Sequence, residues 1–91
     1  MTHAIVLVEA ERGAMPTLGS RLAEIDGVGQ VYSVTGIWDF VAILHLQRHD
    51  QLADVVTAGI GQVEGVARTQ TLVAFEAFSR HDLEALFSVG Q

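Results

Sequence analysis

Residues 28–47 read VGQVYSVTGIWDFVAILHLQ. Two apolar runs, Val28 to Thr35 and Phe40 to Gln47, flank the segment Gly36-Ile37-Trp38-Asp39. Apolar runs of this length bounded by a glycine-containing turn are the pattern of a β-hairpin. The turn itself carries a glycine, an aromatic ring and a carboxylate. A tight loop of that composition offers free backbone N–H groups, a surface to pack on and one anionic acceptor. Those are the groups needed to grip a small zwitterion.

Working outward from the hairpin, each side carries a helix and a further strand. Upstream, Met15, Leu18, Leu22 and Ile25 recur at spacings of three and four, which predicts a helix over about Thr17 to Ile25. Pro16 suits its start, and Asp26-Gly27 its end. Before it, His3 to Val8 runs without a polar break, as in a strand buried on both faces. Downstream, Leu52, Val55, Val56, Gly59, Ile60 and Val63 form one stripe of a second helix. Asp50 is its expected N-cap, Glu64-Gly65 its end, and Gly59 a close-packing position against the sheet. A fourth strand over about Val66 to Phe78 places Thr69 and Thr71 on one face, and Gln70 and Leu72 on the other. A short last helix is expected over Asp82 to Phe87, capped by Asp82.

The order β-α-β-β-α-β, with a weak internal repeat of helix, acidic-Gly and strand, predicts an α+β ferredoxin-like fold with a short C-terminal helix. Such a fold covers one sheet face with helices. Strands one and three have no polar side to turn outward, so the other face should be apolar as well. The chain has 91 residues, read as a single domain 1–91, and 49% of them are hydrophobic. A domain this small buries only about two thirds of its unfolded surface. Two sheets packed face to face in a dimeric α/β barrel would cover the excess.

Charge and composition exclude several functions. The net charge is −6, with five scattered basic residues, whereas nucleic-acid binding needs clustered cations to displace counterions. There is no cysteine, so no disulfide or thiolate metal site is expected. No apolar run approaches the ~20 residues that cross a bilayer, and the expected compartment is the cytoplasm. Among the four histidines, His45 and His49 are four apart but straddle a strand end, which is not metal-ligand geometry. No cofactor is called for. Glu76 sits among apolar residues, either as a partly buried acid or as a solvent-facing residue paired with Arg80. The Thr35 to Phe40 loop has its own alternative, a plain hairpin in which Asp39 makes an Asx-type turn and Trp38 plugs an oligomer interface.

The motif Val31-x-x-Val34-Thr35-Gly36-Ile37-Trp38-Asp39-Phe40, followed by Val63-Glu64-Gly65-Val66 and Arg68-Thr69-Gln70-Thr71, resembles the effector-binding (RAM) domain of the Lrp/AsnC regulators. The resemblance covers about residues 3 to 78. Trp38 stands where the family commonly has Tyr, and Glu64 where Pro is frequent. The resemblance implies homodimers joined through facing sheets and assembling into higher oligomers, with free amino acids bound in clefts between dimers. On this carry-over the Gly36, Ile37 and Trp38 backbone cradles the polar end of the ligand. Asp39 contacts its α-amino group, and Thr69 or Thr71 supplies hydroxyls.

Family regulators also carry an N-terminal helix-turn-helix domain. This chain begins at Met1 directly before its first strand, so it is expected to be a stand-alone, or excised, effector domain, with a full-length Lrp/AsnC regulator as a further partner. Three readings follow: an amino-acid sensor that is not an enzyme, a small barrel monooxygenase or isomerase using His45 or Glu76, and an assembly subunit with no ligand.

Overall fold

The strand Thr2–Ala10 (β1) is hydrogen-bonded along both of its edges and forms the middle of the molecule. The computed structural model describes residues 2–76 together with residues 78 and 80. After β1 come the helix Met15–Ala23 (α1), the strands Val28–Ser33 (β2) and Phe40–Leu46 (β3), a helical segment over 51–62, and the strand Val66–Val73 (β4). The four strands make one antiparallel sheet in the order β2-β3-β1-β4. This is the ferredoxin-like arrangement. The C-terminal helix expected over Asp82 to Phe87 lies outside the described residues.

Strand alternation sorts β1 and β3 into two faces. Ala4, Val6 and Val8 of β1 and Phe40, Ala42, Leu44 and Leu46 of β3 are buried under the helices. Leu18 and Leu22 of α1 and Ile60 and Val55 of the second helical segment complete this core. Each fully buried leucine or isoleucine contributes roughly 1.5–3 kcal/mol. In register, Val6 faces Ala42 across one edge and Thr71 across the other.

Among the described residues, no helix covers the opposite face. Its centre is Ile5 opposite Ile43 and Leu7 opposite Val41. These four are only half-buried within one chain. Tyr32 and Leu72 flank them at 50% and 44% exposure. The apolar outer face anticipated from strands one and three is therefore present. Thr69 and Thr71 share the helix-side face while Gln70 and Leu72 share the open one.

Several local expectations change. α1 begins two residues early, because the Leu18 N–H already bonds the Ala14 carbonyl and Pro16 in the first turn needs no donor partner. β4 ends at Val73 rather than Phe78. Past it, Phe75 and Phe78 are almost fully exposed. Asp50 stands at the N-cap position of the second helix as expected, but its side chain makes no capping bond: Oδ1 accepts from Arg48 Nε at 3.1 Å instead.

The second helix is α-helical only over Gln51–Ala53. It widens to a π-helix over Asp54–Gly59 and tightens to a 3-10 turn over Ile60–Gln62. The Ile60 N–H reaches the carbonyls of both Val55 and Val56. The wide turn aligns residues five apart, which brings Val55 and Ile60 together into the core. Gly59 packs closely, but against Ile25 rather than the sheet: a Cβ there would lie 3.0 Å from Ile25 Cγ2.

Gly27 makes the turn into β2 with φ of 97°, and its carbonyl accepts the His45 N–H at 3.2 Å. An added Cβ would lie 2.7 Å from Val55 Cγ2. Gly27→Ala therefore combines left-handed strain with overpacking, and is expected to cost about 2–3 kcal/mol. Chemical denaturation of the two proteins measures it.

Candidate functional site

β2 ends at Ser33 and β3 begins at Phe40, leaving a six-residue loop over 34–39. Its base is closed by the Val34 N–H to the Asp39 carbonyl at 3.0 Å. The loop is then tied to the end of β1 at two points. The Asp39 N–H donates to the Val8 carbonyl at 2.9 Å, and Asp39 Oδ2 accepts the Ala10 N–H at 2.7 Å. The register of β1 with β4 shifts between Glu9 and Ala10. The Ala10 amide lies on the edge of β1 that faces β3, past Val8 where that pairing ends, and the Asp39 carboxylate accepts it in a short, charge-assisted bond.

Gly36 has φ of 109°, and nothing lies within 4 Å of the point a Cβ would occupy. Its backbone thus opens onto free space, as close approach of a ligand requires. Ile37, at the tip, is 77% exposed. Trp38 is half-buried. The Arg68 guanidinium lies over its ring, 4.6 Å from the centroid, and Arg68 Nη2 pairs with Glu9 Oε2 at 3.4 Å.

The structure thus places Gly36, Ile37, Trp38 and Asp39 in one loop pinned to β1. It does not bring Thr69 and Thr71 to that loop within one chain. Thr69 is opposite Val8 and Thr71 opposite Val6, both on the helix side of β4. Thr71 instead lines a groove with Leu52, Ala53, Val56 and Thr57 of the second helical segment.

The histidines pair in a way that spacing did not suggest. His3 and His45 are direct cross-strand neighbours, with ring centroids 5.1 Å apart in edge-to-face contact. His45, His49 and Glu76 are all exposed. Sequence reasoning also missed Arg68 as the neighbour of Trp38 and Glu9 as the partner of Arg68. Arg68 precedes Thr69, so alternation alone puts it on the face away from the threonines. Its meeting with Trp38 depends on the register of β4 on β1, which no local pattern reveals.

Comparison with known proteins agrees with this fold. The model of the Lrp/AsnC ligand binding domain matches residues 3–83, and the chain belongs to that family. The HTH-type transcriptional regulator FL11 of Pyrococcus furiosus is 25% identical over 73 residues, covering 80% of this chain and 48% of its own length. A second HTH-type regulator of that organism is 27% identical, covering 81% of this chain and 51% of its own length. The chain spans about half the length of the curated relatives it matches.

Among solved structures, TTHA0845 from Thermus thermophilus is 46% identical, covering 88% of this chain and 100% of its own, with a TM-score of 0.82. The NMB0573/L-Met complex, a transcriptional regulator from Neisseria meningitidis, shares the fold at 14% identity and a TM-score of 0.78, covering 87% of this chain and 53% of its own. The family and these regulator relatives define an effector-binding domain of regulatory type. Among the described residues, no helix is long and apolar enough to cross a membrane.

Asp39→Ala is expected to leave the Ala10 amide without its acceptor, at about 1–2 kcal/mol. Asp39→Asn retains an acceptor oxygen and most of that stability. Amide exchange at Ala10 should accelerate in the alanine variant and stay near wild type in the asparagine variant.

Proposed function

We propose that this domain, taken as a single unit over 1–91, binds a free amino acid at an interface between copies of itself and so modulates transcription through assembly. The observation that carries this reading is the 34–39 loop. It carries the open Gly36 backbone together with an Asp39 carboxylate that, among the described residues, accepts through Oδ2 from Ala10. Oδ2 is taken by Ala10, so Oδ1 remains for an ammonium group. A charge-assisted contact of that kind is about twice as strong as a neutral hydrogen bond. The L-Met complex of the Neisseria regulator, which has the same fold, supports an amino acid as the ligand class.

The half-buried face formed by Ile5, Leu7, Val41 and Ile43 supports the assembly half of the reading. A second copy laid face to face would cover it, and loops from neighbouring pairs would supply the rest of the cleft, Thr69 and Thr71 included. Binding rather than catalysis is the role that the HTH-type regulator relatives support. With a net charge of −6, contact with DNA would come through a full-length regulator of the same family, in the cytoplasm.

A thermal-melt screen against the twenty amino acids tests the ligand. One present at about 100 times its dissociation constant stabilises the native state by about 2.7 kcal/mol. A selective shift that disappears in Asp39→Asn is expected, and a flat panel would refute the sensor reading. The assembly half has its own test in sedimentation: Ile43→Glu puts a charge in the centre of the open sheet and should reduce the wild-type oligomer to monomers.

A further inference from the structure

We propose that Arg68 is the residue that binds the α-carboxylate of the effector, held ready by Trp38 and exchanged from Glu9 when the ligand arrives. This rests on the amino-acid reading given above and names the cationic half of that site. The guanidinium carbon lies 4.6 Å from the Trp38 ring centroid. Stacking covers one face of the guanidinium and fixes its plane, while its five N–H donors point outward around the edge.

Of these donors, Nη2 reaches Glu9 Oε2, at 3.4 Å. Well-formed bonds between guanidinium and carboxylate are about 2.7–2.9 Å, so Glu9 holds Arg68 loosely. The side chain of Arg68 is 58% exposed and that of Glu9 39%. An incoming carboxylate can engage two donors at once and displace a single long contact.

The location matches the charge pattern of an amino acid. Glu9, which pairs with Arg68, and Ala10, which donates to Asp39, are consecutive residues at the end of β1. A cation and an anion are therefore anchored at adjacent positions of one strand, against the loop that carries Gly36. The chain has only five basic residues against eleven acidic ones. One of those five is stacked on the single tryptophan, in the loop read as the ligand cradle. An exposed ion pair contributes little to stability, so the arrangement is poorly explained by folding alone.

The test uses Trp38 fluorescence, since this ring is the only tryptophan and touches the group in question. Each of the twenty L-amino acids is titrated beside its α-carboxamide into the wild type, Arg68→Gln, Arg68→Lys and Asp39→Asn. Unliganded melting curves confirm that each variant is folded. The wild type is expected to bind at least one amino acid ten or more times tighter than its carboxamide. Arg68→Gln should lower affinity for that acid at least tenfold and bind acid and carboxamide equally. Arg68→Lys, which keeps the charge but not the fork, should recover part of the preference. If Arg68→Gln keeps the preference while Asp39→Asn loses binding, the Arg68 assignment is wrong and the sensor reading stands. If none of the twenty binds the wild type, both fall.

Discussion

Three consecutive residues at the end of β1 hold the candidate site together. The Val8 carbonyl accepts the Asp39 amide, Glu9 pairs with Arg68, and the Ala10 amide donates to the Asp39 carboxylate. β1 can do this because it is the one strand paired on one side to the hairpin that carries the loop and on the other to β4. Its pairing with β3 ends at Val8, which leaves the Ala10 amide on that edge for the Asp39 carboxylate. An interior strand is the stiffest part of a small sheet, so a loop fastened to it is held in position before any ligand arrives. Preorganisation of that kind reduces the ordering cost of binding.

The two faces of the sheet differ in how they are covered. On the helix side, Val6, Val8, Ala42 and Leu44 pack at zero exposure beneath Leu18, Leu22 and Ile60. On the other side the apolar residues are only partly covered, and polar groups lie at the margins: Glu9 and Arg68 near one end, His3 and His45 near the other. An apolar centre with a polar rim is the make-up of a protein interface. The candidate site lies at the Glu9–Arg68 end, so ligand binding and contact between copies would share neighbouring residues. That proximity is the physical route by which a bound effector could alter assembly.

Much of the frame was legible in local pattern. Unbroken apolar runs marked β1 and β3, Leu18 and Leu22 marked the buried stripe of α1, and Gly27 and Gly36 marked turns needing positive φ. The second helix was legible in position but not in type. Its stripe fits a regular period, yet tertiary packing prefers the five-residue offset of Val55 and Ile60 and widens the turn. Asp50 was legible as the residue at the helix start, but its carboxylate bonds Arg48 rather than a helix amide.

The sequence by itself determined which residues are apolar, where strands and helices alternate, and that Gly36, Trp38 and Asp39 share one short loop between two strands. Those features are local, depending on side-chain chemistry and on spacings of two to four residues. Only the tertiary structure decided what the loop touches. The partners of Asp39 and Trp38 lie 29 and 30 positions away in the chain, at Ala10 and Arg68. Their meeting is set by the strand order and by the register of β3 and β4 on β1. Register is a cooperative property of the whole sheet, because a slip of one residue would move every side chain to the opposite face.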